Sequence, residues 1–458
     1  ARPREAPGRS ARRFVSGADT IFALSTARGR SAIAVIRISG ARAGAALAAL
    51  APRCAPQPRV AKLAKLADPG TGETIDDALA LWFPAPRSET GEDVVELQVH
   101  GGRAVIAGVL EALAGLPGLR PAEPGEFTKR AFQNGKIDLT AAEGLLDLIE
   151  AETAAQRRQA LRQLEGGLAT VYEAWRARLI RALAHLEAEI DFADEDLPRN
   201  IGEAALADLE RLRGEIVAHL GDRRRGEVLR EGLSVAILGA PNVGKSSLLN
   251  ALTRRETAIV SSIAGTTRDI VEARLDLGGY PILLADTAGL REVAEGGDPI
   301  EREGVRRALA RAEQADLRLL VFPAGAAPDP ATAALVGPDA ILVANKVDLA
   351  GEGGLPVPPG ALAVSATSGF GLDTLRHRLL AEAEARMNAG GSPAITRARH
   401  RSALKECAAH LERAGVASSP ELVAEDVRLA ARALGRITGR VDVEDLLDVI
   451  FREFCIGK

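Results

Sequence analysis

The chain has 458 residues, a formal net charge of −4 and three cysteines, Cys54, Cys407 and Cys455. That length implies about three domains, each able to bury its own core; the charge balance excludes a global basic field, so any nucleic-acid contact must come from a local patch. Widely spaced cysteines without a C-x-x-C pair predict a reduced, cytoplasmic protein with neither disulfide framework nor zinc site, and no apolar run reaches the roughly 18–20 residues of a membrane span. Only eight of the 58 basic residues are lysines. A lysine here marks a place needing a compact point charge rather than a planar fork, which singles out Lys136, Lys245, Lys346 and Lys458.

Residues 1–18 are rich in Arg, Ala and Pro without periodicity, which predicts a disordered extension in preference to a transit peptide. Strand-like runs follow at Ile21–Leu24, Ile33–Ile38, Ala78–Phe83 and Val94–Val99, with a helix-like run at Val105–Leu113. They predict a compact α+β domain over 19–122. Arg37 and Glu96 are charges inside two of these strands, and alternation alone reads them as facing water.

No proline occurs between Leu139 and Leu197. Leu161, Leu164, Leu168, Val171, Trp175, Leu179, Leu183, Leu186 and Ile190 advance by threes and fours, predicting one amphipathic helix or two long ones in a helical domain over 123–230. Arg223-Arg224-Arg225 reads as a solvated helix end, with contact to tRNA phosphates as the alternative. From 231 to 384 strand and helix signals alternate (Leu233–Leu238, Ile282–Ala285, Leu317–Phe322, Ile341–Ala344, Leu362–Val364), predicting a parallel sheet with helices on both faces. Helical spacing resumes over 385–458, so the α/β domain interrupts an all-α domain.

The inserted segment carries ordered phosphate and base motifs. Gly239 to Ser246 spells G-x-x-x-x-G-K-S between a strand-like and a helix-like run, so the backbone N–H groups of Asn242, Val243, Gly244, Lys245, Ser246 and Ser247 can cradle phosphates. Lys245 would neutralise the β/γ-phosphates, and the hydroxyls of Ser246 and Thr267 are candidate Mg2+ ligands. Asp286-Thr287-Ala288-Gly289 ends a buried strand, where Asp286 can reach the Mg2+ shell and Gly289 the γ-phosphate. In Asn345-Lys346-Val347-Asp348 the Asp348 carboxylate can accept from both donors of guanine, Lys346 can lie along the base, and Ser365-Ala366-Thr367 completes the pocket. An adenine would leave Asp348 unpaired. The sequence thus points to a P-loop GTPase domain. Leu290, after Gly289, cannot orient water, so another group must; the downstream acids are Glu292, Glu295, Asp298, Glu301 and Glu303.

Beyond residues 1–18 the chain resembles one family over nearly its whole length: MnmE, also called TrmE, the tRNA-modification GTPases. The stretches that carry the resemblance are Asp19–Ile21, Ile36–Gly40, Thr90–Glu96, Pro124–Phe127, Asn134–Lys136, the GTPase motifs above and Phe454-Cys455-Ile456-Gly457-Lys458. The resemblance implies a folate-binding and dimerising N-terminal domain that takes 5-formyl- or 5,10-methylene-tetrahydrofolate at Arg37, Glu96, Lys136 and Lys458. It implies a K+ site at Asn242, Ser261, Ile263 and Thr266, within a loop Ser261, Ser262, Ile263, Ala264, Gly265, Thr266 that closes on GTP. It makes Glu301 the water-positioning catalytic residue beside Lys245 and Asn242, with Glu303 the alternative register. It also implies a homodimer, a flavoprotein partner (MnmG) and tRNA, with modification at C5 of the wobble uridine; Cys455 has either a covalent or a packing role.

Two departures stand out: Ala27-Arg28-Gly29-Arg30-Ser31 replaces the family's P-P-G-R-G-G loop, and the segment between Gly289 and Glu301 is longer. A competing class is a regulatory GTPase switch of the ribosome-assembly type, which explains residues 231–384 equally but gives no reason for the N-terminal constellation.

Overall fold

The computed structural model describes residues 19–27, 29–191, 201–255, 257–258, 272–286, 314–327, 330–349, 355–388, 390, 393–441 and 444–457; at a few of these, Asp286 among them, only the backbone is described. The chain forms two compact units, one reaching up to Leu146 and resuming at Gly435, the other comprising Asp147–Leu434.

In the first unit six strands, β1 (Thr20–Leu24), β2 (Ile33–Ser39), β3 (Lys62–Ala67), β4 (Thr74–Phe83), β5 (Val94–His100) and β6 (Leu119–Pro121), lie in the order β3-β4-β5-β2-β1-β6. Only the β1–β6 pair is parallel. Helices α1 (Ala43–Leu50) and α2 (Arg103–Ala114) supply Leu47, Leu50, Val109 and Leu113 to a core with Ile36, Ile38, Val95 and Leu97. Strand alternation then sends Arg37 and Glu96 to the opposite face, where the β2–β5 register sets them side by side. Strand β3 escapes the sequence pattern because Lys-Leu-Ala-Lys-Leu-Ala repeats by three and masks its two-residue alternation. Helix α1, Ala-Gly-Ala-Ala-Leu-Ala-Ala-Leu, lacks polar contrast.

Helices α3 (Glu126–Gln133) and α4 (Leu139–Glu150) follow, and Leu139, Ala142 and Leu146 pack with Ile450, Phe451 and Phe454 near the end of the chain. Beyond them Ile456 bridges antiparallel to Pro124. Gly457 sits at φ +97, where a Cβ would fall 2.2 Å from the Leu24 carbonyl oxygen, so only glycine permits this close approach to the end of β1.

The second unit opens with α5 (Ala154–Leu164), α6 (Gly167–Asp191), α7 (Ile201–Leu220) and α8 (Arg225–Glu231). The periodic run over 161–190 is therefore two helices, broken at Gly166. Next come β7 (Leu233–Leu238), α9 (Lys245–Arg255), β8 (Thr257–Ala258), β9 (Glu272–Leu277), β10 (Tyr280–Asp286), β11 (Leu317–Pro323), α10 (Pro330–Ala333), β12 (Ala340–Asn345), β13 (Leu362–Ala363) and α11 (Leu372–Met387). Helices α12 (Ala398–Val416) and α13 (Pro420–Thr438) follow, and α14 (Glu444–Arg452) supplies the first unit's packing described above.

The strand order is β13-β12-β11-β7-β10-β9-β8. The sheet is not wholly parallel as expected: β9 runs antiparallel to β10, and β8 antiparallel to β9. The cause is a hairpin through Gly278-Gly279, a strong turn signal that the βα reading of the segment overlooks. The sheet's core draws on α9 and α11 and also on Ala155 of α5 and Val228 and Leu229 of α8. The Ala155 N–H donates to the Gly279 carbonyl at 3.0 Å, seating the start of α5 on the hairpin.

Candidate functional site

The phosphate loop joins β7 to α9. Gly239 lies at φ +151 with the Val321 carbonyl oxygen 2.1 Å from where a Cβ would be, so the turn presses against β11 and excludes a side chain. Lys245 is 5% exposed, and its Nζ donates to the carbonyls of Gly239 at 3.0 Å and Ala240 at 2.7 Å. The ammonium is thus held across the loop, where phosphate oxygens can replace carbonyl oxygens as its acceptors. Ser246 and Ser247 are exposed at the start of α9, and Asn242 takes the left-handed φ of +60.

Asn345 joins this loop to the base motifs. Its buried side chain donates through Nδ2 to the Val243 carbonyl at 2.9 Å and accepts the Ala366 N–H at Oδ1, 3.1 Å. Lys346 Nζ donates to the Asn242 carbonyl at 2.6 Å, so this lysine reaches the phosphate loop. Ser365 is buried and accepts the Ser368 N–H at 3.0 Å, while Thr367 follows on the same turn and Asp348 is exposed on Val347–Leu349. Asn242, Val243, Gly244, Lys245, Asn345, Lys346 and Ala366 are therefore brought together. The backbone of Asp286 pairs in register with Ile237, at the loop's end of the sheet. Ser261, Ser262, Ile263, Ala264, Gly265, Thr266, Thr267, Thr287, Ala288, Gly289, Glu301 and Glu303 lie outside the described residues, as does Lys458. Of the expected Mg2+ and K+ ligands, the Ser246 hydroxyl and Asn242 are within them, on the rim of the loop where a cation bound to phosphates would be met.

In the first unit Arg37 and Glu96 do not simply face water: their side chains are 15% and 21% exposed. Arg37 donates through Nε and Nη2 to Glu96 Oε1 at 3.0 and 2.9 Å, pairs through Nη1 with Glu89 at 2.7 Å, and lies 5.7 Å from the Phe127 ring centroid. Both bonds to Glu96 fall on one oxygen; among the described residues Oε2 accepts none, which fits a carboxylate kept for an N–H donor of a ligand. Lys136 Nζ donates to the Pro86 carbonyl at 2.9 Å, on the loop that also carries Glu89. Cys455 is exposed and Cys54 partly so, whereas burial pushes the Cys407 thiol up to about 12.

Sequence reasoning missed the charged network that supports this face. Arg130, 5% exposed, reaches Glu92 at 3.0 Å and Glu126 at 3.0 Å; Glu126 also takes Arg120 at 2.6 Å, and Ser39 donates to Glu92 at 2.8 Å. Burial alone would raise the Glu126 carboxyl, but hydrogen bonds from Arg120, the Glu123 N–H and Arg130 hold it below the usual carboxylate range. Glu92 and Glu126 lie in the Thr90–Glu96 and Pro124–Phe127 stretches, so the signal was present without a partner attached to it.

Residues 139–455 match the family model of the MnmE helical domain, and residues 20–136 that of the GTP-binding protein TrmE N-terminus. The tRNA modification GTPase MnmE of Parvibaculum lavamentivorans is 61% identical over 444 residues, spanning 96% of this chain and 100% of that protein. That of Rhodospirillum rubrum is 57% identical over 457 residues, with 96% and 99% covered, and that of Paramagnetospirillum magneticum 56% over 448, with 96% and 100%. With both family models matched in sequence order and relatives aligned from end to end, the chain belongs to the MnmE family of tRNA modification GTPases.

Proposed function

We propose that the chain is a K+-stimulated GTP hydrolase. With the flavoprotein MnmG it installs an aminomethyl or carboxymethylaminomethyl group at C5 of the wobble uridine of certain tRNAs, using a folate-borne one-carbon unit. The observation that carries the nucleotide half is Asn345, whose side chain ties the phosphate loop to the Ser365-Ala366-Thr367 segment and so holds the two next to the stretch that carries Lys346 and Asp348. The relatives' name, tRNA modification GTPase, agrees with it. In this reading Lys245 meets the β/γ-phosphates, Ser246 and Thr267 hold Mg2+, and Asn242 with Ser261, Ile263 and Thr266 holds K+. The bound cations supply charge neutralisation as the phosphates separate. Glu301 positions the attacking water in place of Leu290.

The folate half rests on the Arg37–Glu96 pair. Glu96 accepts from the amide and amine edge of a pterin, and Arg37, Lys136 and Lys458 meet its polar and anionic groups. The working parts are 19–122 for folate and homodimer formation, 123–230 with 385–458 for the helical domain, and 231–384 for GTP, in a cytoplasmic enzyme. Among the described residues no helix is long and apolar enough to cross a membrane. Glu301→Ala should abolish GTP turnover while leaving GTP binding intact, and exchanging K+ for Na+ should slow the wild type. Undiminished turnover in the variant would remove Glu301 from the mechanism.

A further inference from the structure

With a net charge of −4, an RNA partner has to be met by a local patch. The arginines that stand out in the sequence, Arg223-Arg224-Arg225, supply only part of one. Arg224 pairs with Glu227 at 2.8 Å, Arg225 is partly buried and donates to the Asn388 carbonyl at 3.2 Å, and Arg223 is exposed without an ion pair to a described residue. Other helix arginines are neutralised as Arg224 is, Arg178 by Asp208, Arg213 by Glu210, Arg401 by Asp222 and Arg428 by Glu187.

Helix α5 differs. Its buried side is Ala155, Gln159, Ala160 and Gln163. At about 3.6 residues per turn, Arg157, Arg158, Leu161 and Arg162 fall together on the other side, and all four are exposed. None of the three arginines forms an ion pair with a described residue, and Arg162 bonds only to the Arg158 carbonyl, at 3.3 Å. Beside them opens a cavity of about 310 Å³ lined by Arg162, Gly167, Leu168 and Thr170 of α6's first turn, and Thr396. The amides at the start of a helix of 25 residues add partial positive charge there. Glu165 is the one acidic side chain among the residues lining that cavity.

We propose that the exposed face of α5, with the mouth of this cavity, binds backbone phosphates of the tRNA substrate. The inference rests on the tRNA reading above and adds to it the place of contact. Guanidinium groups without carboxylate partners are free to take phosphate oxygens two at a time. Because they touch phosphates and not base edges, the contact is indifferent to tRNA sequence and sensitive to salt.

The test is the affinity of the full chain for labelled in vitro tRNA transcripts across a salt series. The combined variant Arg157→Ala, Arg158→Ala, Arg162→Ala should bind at least about ten-fold more weakly at low salt, with the log–log salt slope reduced by about 2–3, roughly one for each phosphate no longer neutralised. Glu165→Gln, which removes the opposing charge, should bind a few-fold more tightly, a gain that misfolding cannot produce. GTP hydrolysis should be unchanged in both. Unchanged affinity and slope in the triple variant overturn the site while leaving the tRNA reading intact. Absence of tRNA binding by the wild type overturns both. Loss of an acidic protein partner with tRNA affinity unchanged would assign the face to a protein and also contradict the proposal.

Discussion

Asp147 and Arg397 stand 250 positions apart, and their carboxylate and guanidinium meet at 2.7 Å with side chains 9% and 11% exposed. The same oxygen, Oδ1, accepts Arg230 Nε at 3.0 Å. Arg230 lies just ahead of β7 and Arg397 just ahead of α12, so a single carboxylate holds the chain where it runs into the seven-stranded sheet and where it leaves. Arg401 adds Asp222 at 2.7 Å and Glu227 at 3.1 Å between the same segments. The inserted sheet is thus seated on the helices by a partly buried ion cluster together with Ala155, Val228 and Leu229 in its core.

Removing the shared acid takes from both arginines a carboxylate within 3.0 Å and leaves Arg230 the longer contact to Glu231 at 3.6 Å. Asp147→Ala should therefore destabilise the second unit by about 3 kcal/mol, at the lower end of what breaking a buried pair costs. The urea midpoint of that unit measures it. GTP affinity of the folded variant should be retained, because Asn345, Lys346 and Lys245 keep their partners. An unchanged midpoint would show that the clamp contributes nothing.

Acid should loosen the first unit through Glu126. Its folded carboxyl lies below the ordinary value for glutamate, about 4.3, because Arg120, the Glu123 N–H and Arg130 outweigh its burial. A depressed carboxyl contributes stability that is complete above the unfolded value and is lost as pH falls through the folded one. Glu126→Gln should be less stable than wild type at neutral pH, with the gap closing below about pH 4. Denaturant unfolding from pH 7 downward measures it; a gap independent of pH would contradict the assignment.

The three thiols should separate by reactivity. Cys455 is exposed and should be alkylated by iodoacetamide in the native protein, with Cys54 slower. Cys407 is buried in α12, and burial pushes its thiol up to about 12, so it should be modified only after unfolding. Peptide mapping after timed labelling gives the order, and early labelling of Cys407 would contradict the helical packing.

What could be read from the sequence was what is local in it. The phosphate loop, Asn345–Asp348 and Ser365–Thr367 are short motifs whose chemistry depends on spacing within each segment, and the structure gathers the described ones at one end of the sheet. The alternation in β2 and β5 placed Arg37 and Glu96 on one face, but their partnership needs a register between strands 59 positions apart, which alternation does not specify. Glu89, Glu92, Arg120 and Arg130 were unreadable for the same reason, since each charge is neutralised by a residue on another element. The helices around the inserted domain were legible as periodicity, whereas their use of Ala155 and Asp147 to seat the sheet was not. Small or charged residues acquire such roles only from tertiary packing.

The most direct test of the account is calorimetric titration of the purified, nucleotide-free protein with 5-formyl-tetrahydrofolate. The account predicts saturable binding that is lost in Glu96→Ala while GTP binding persists, since the two sites use separate residues. No binding to well-folded protein would contradict the one-carbon half and leave a GTPase acting as a regulatory switch.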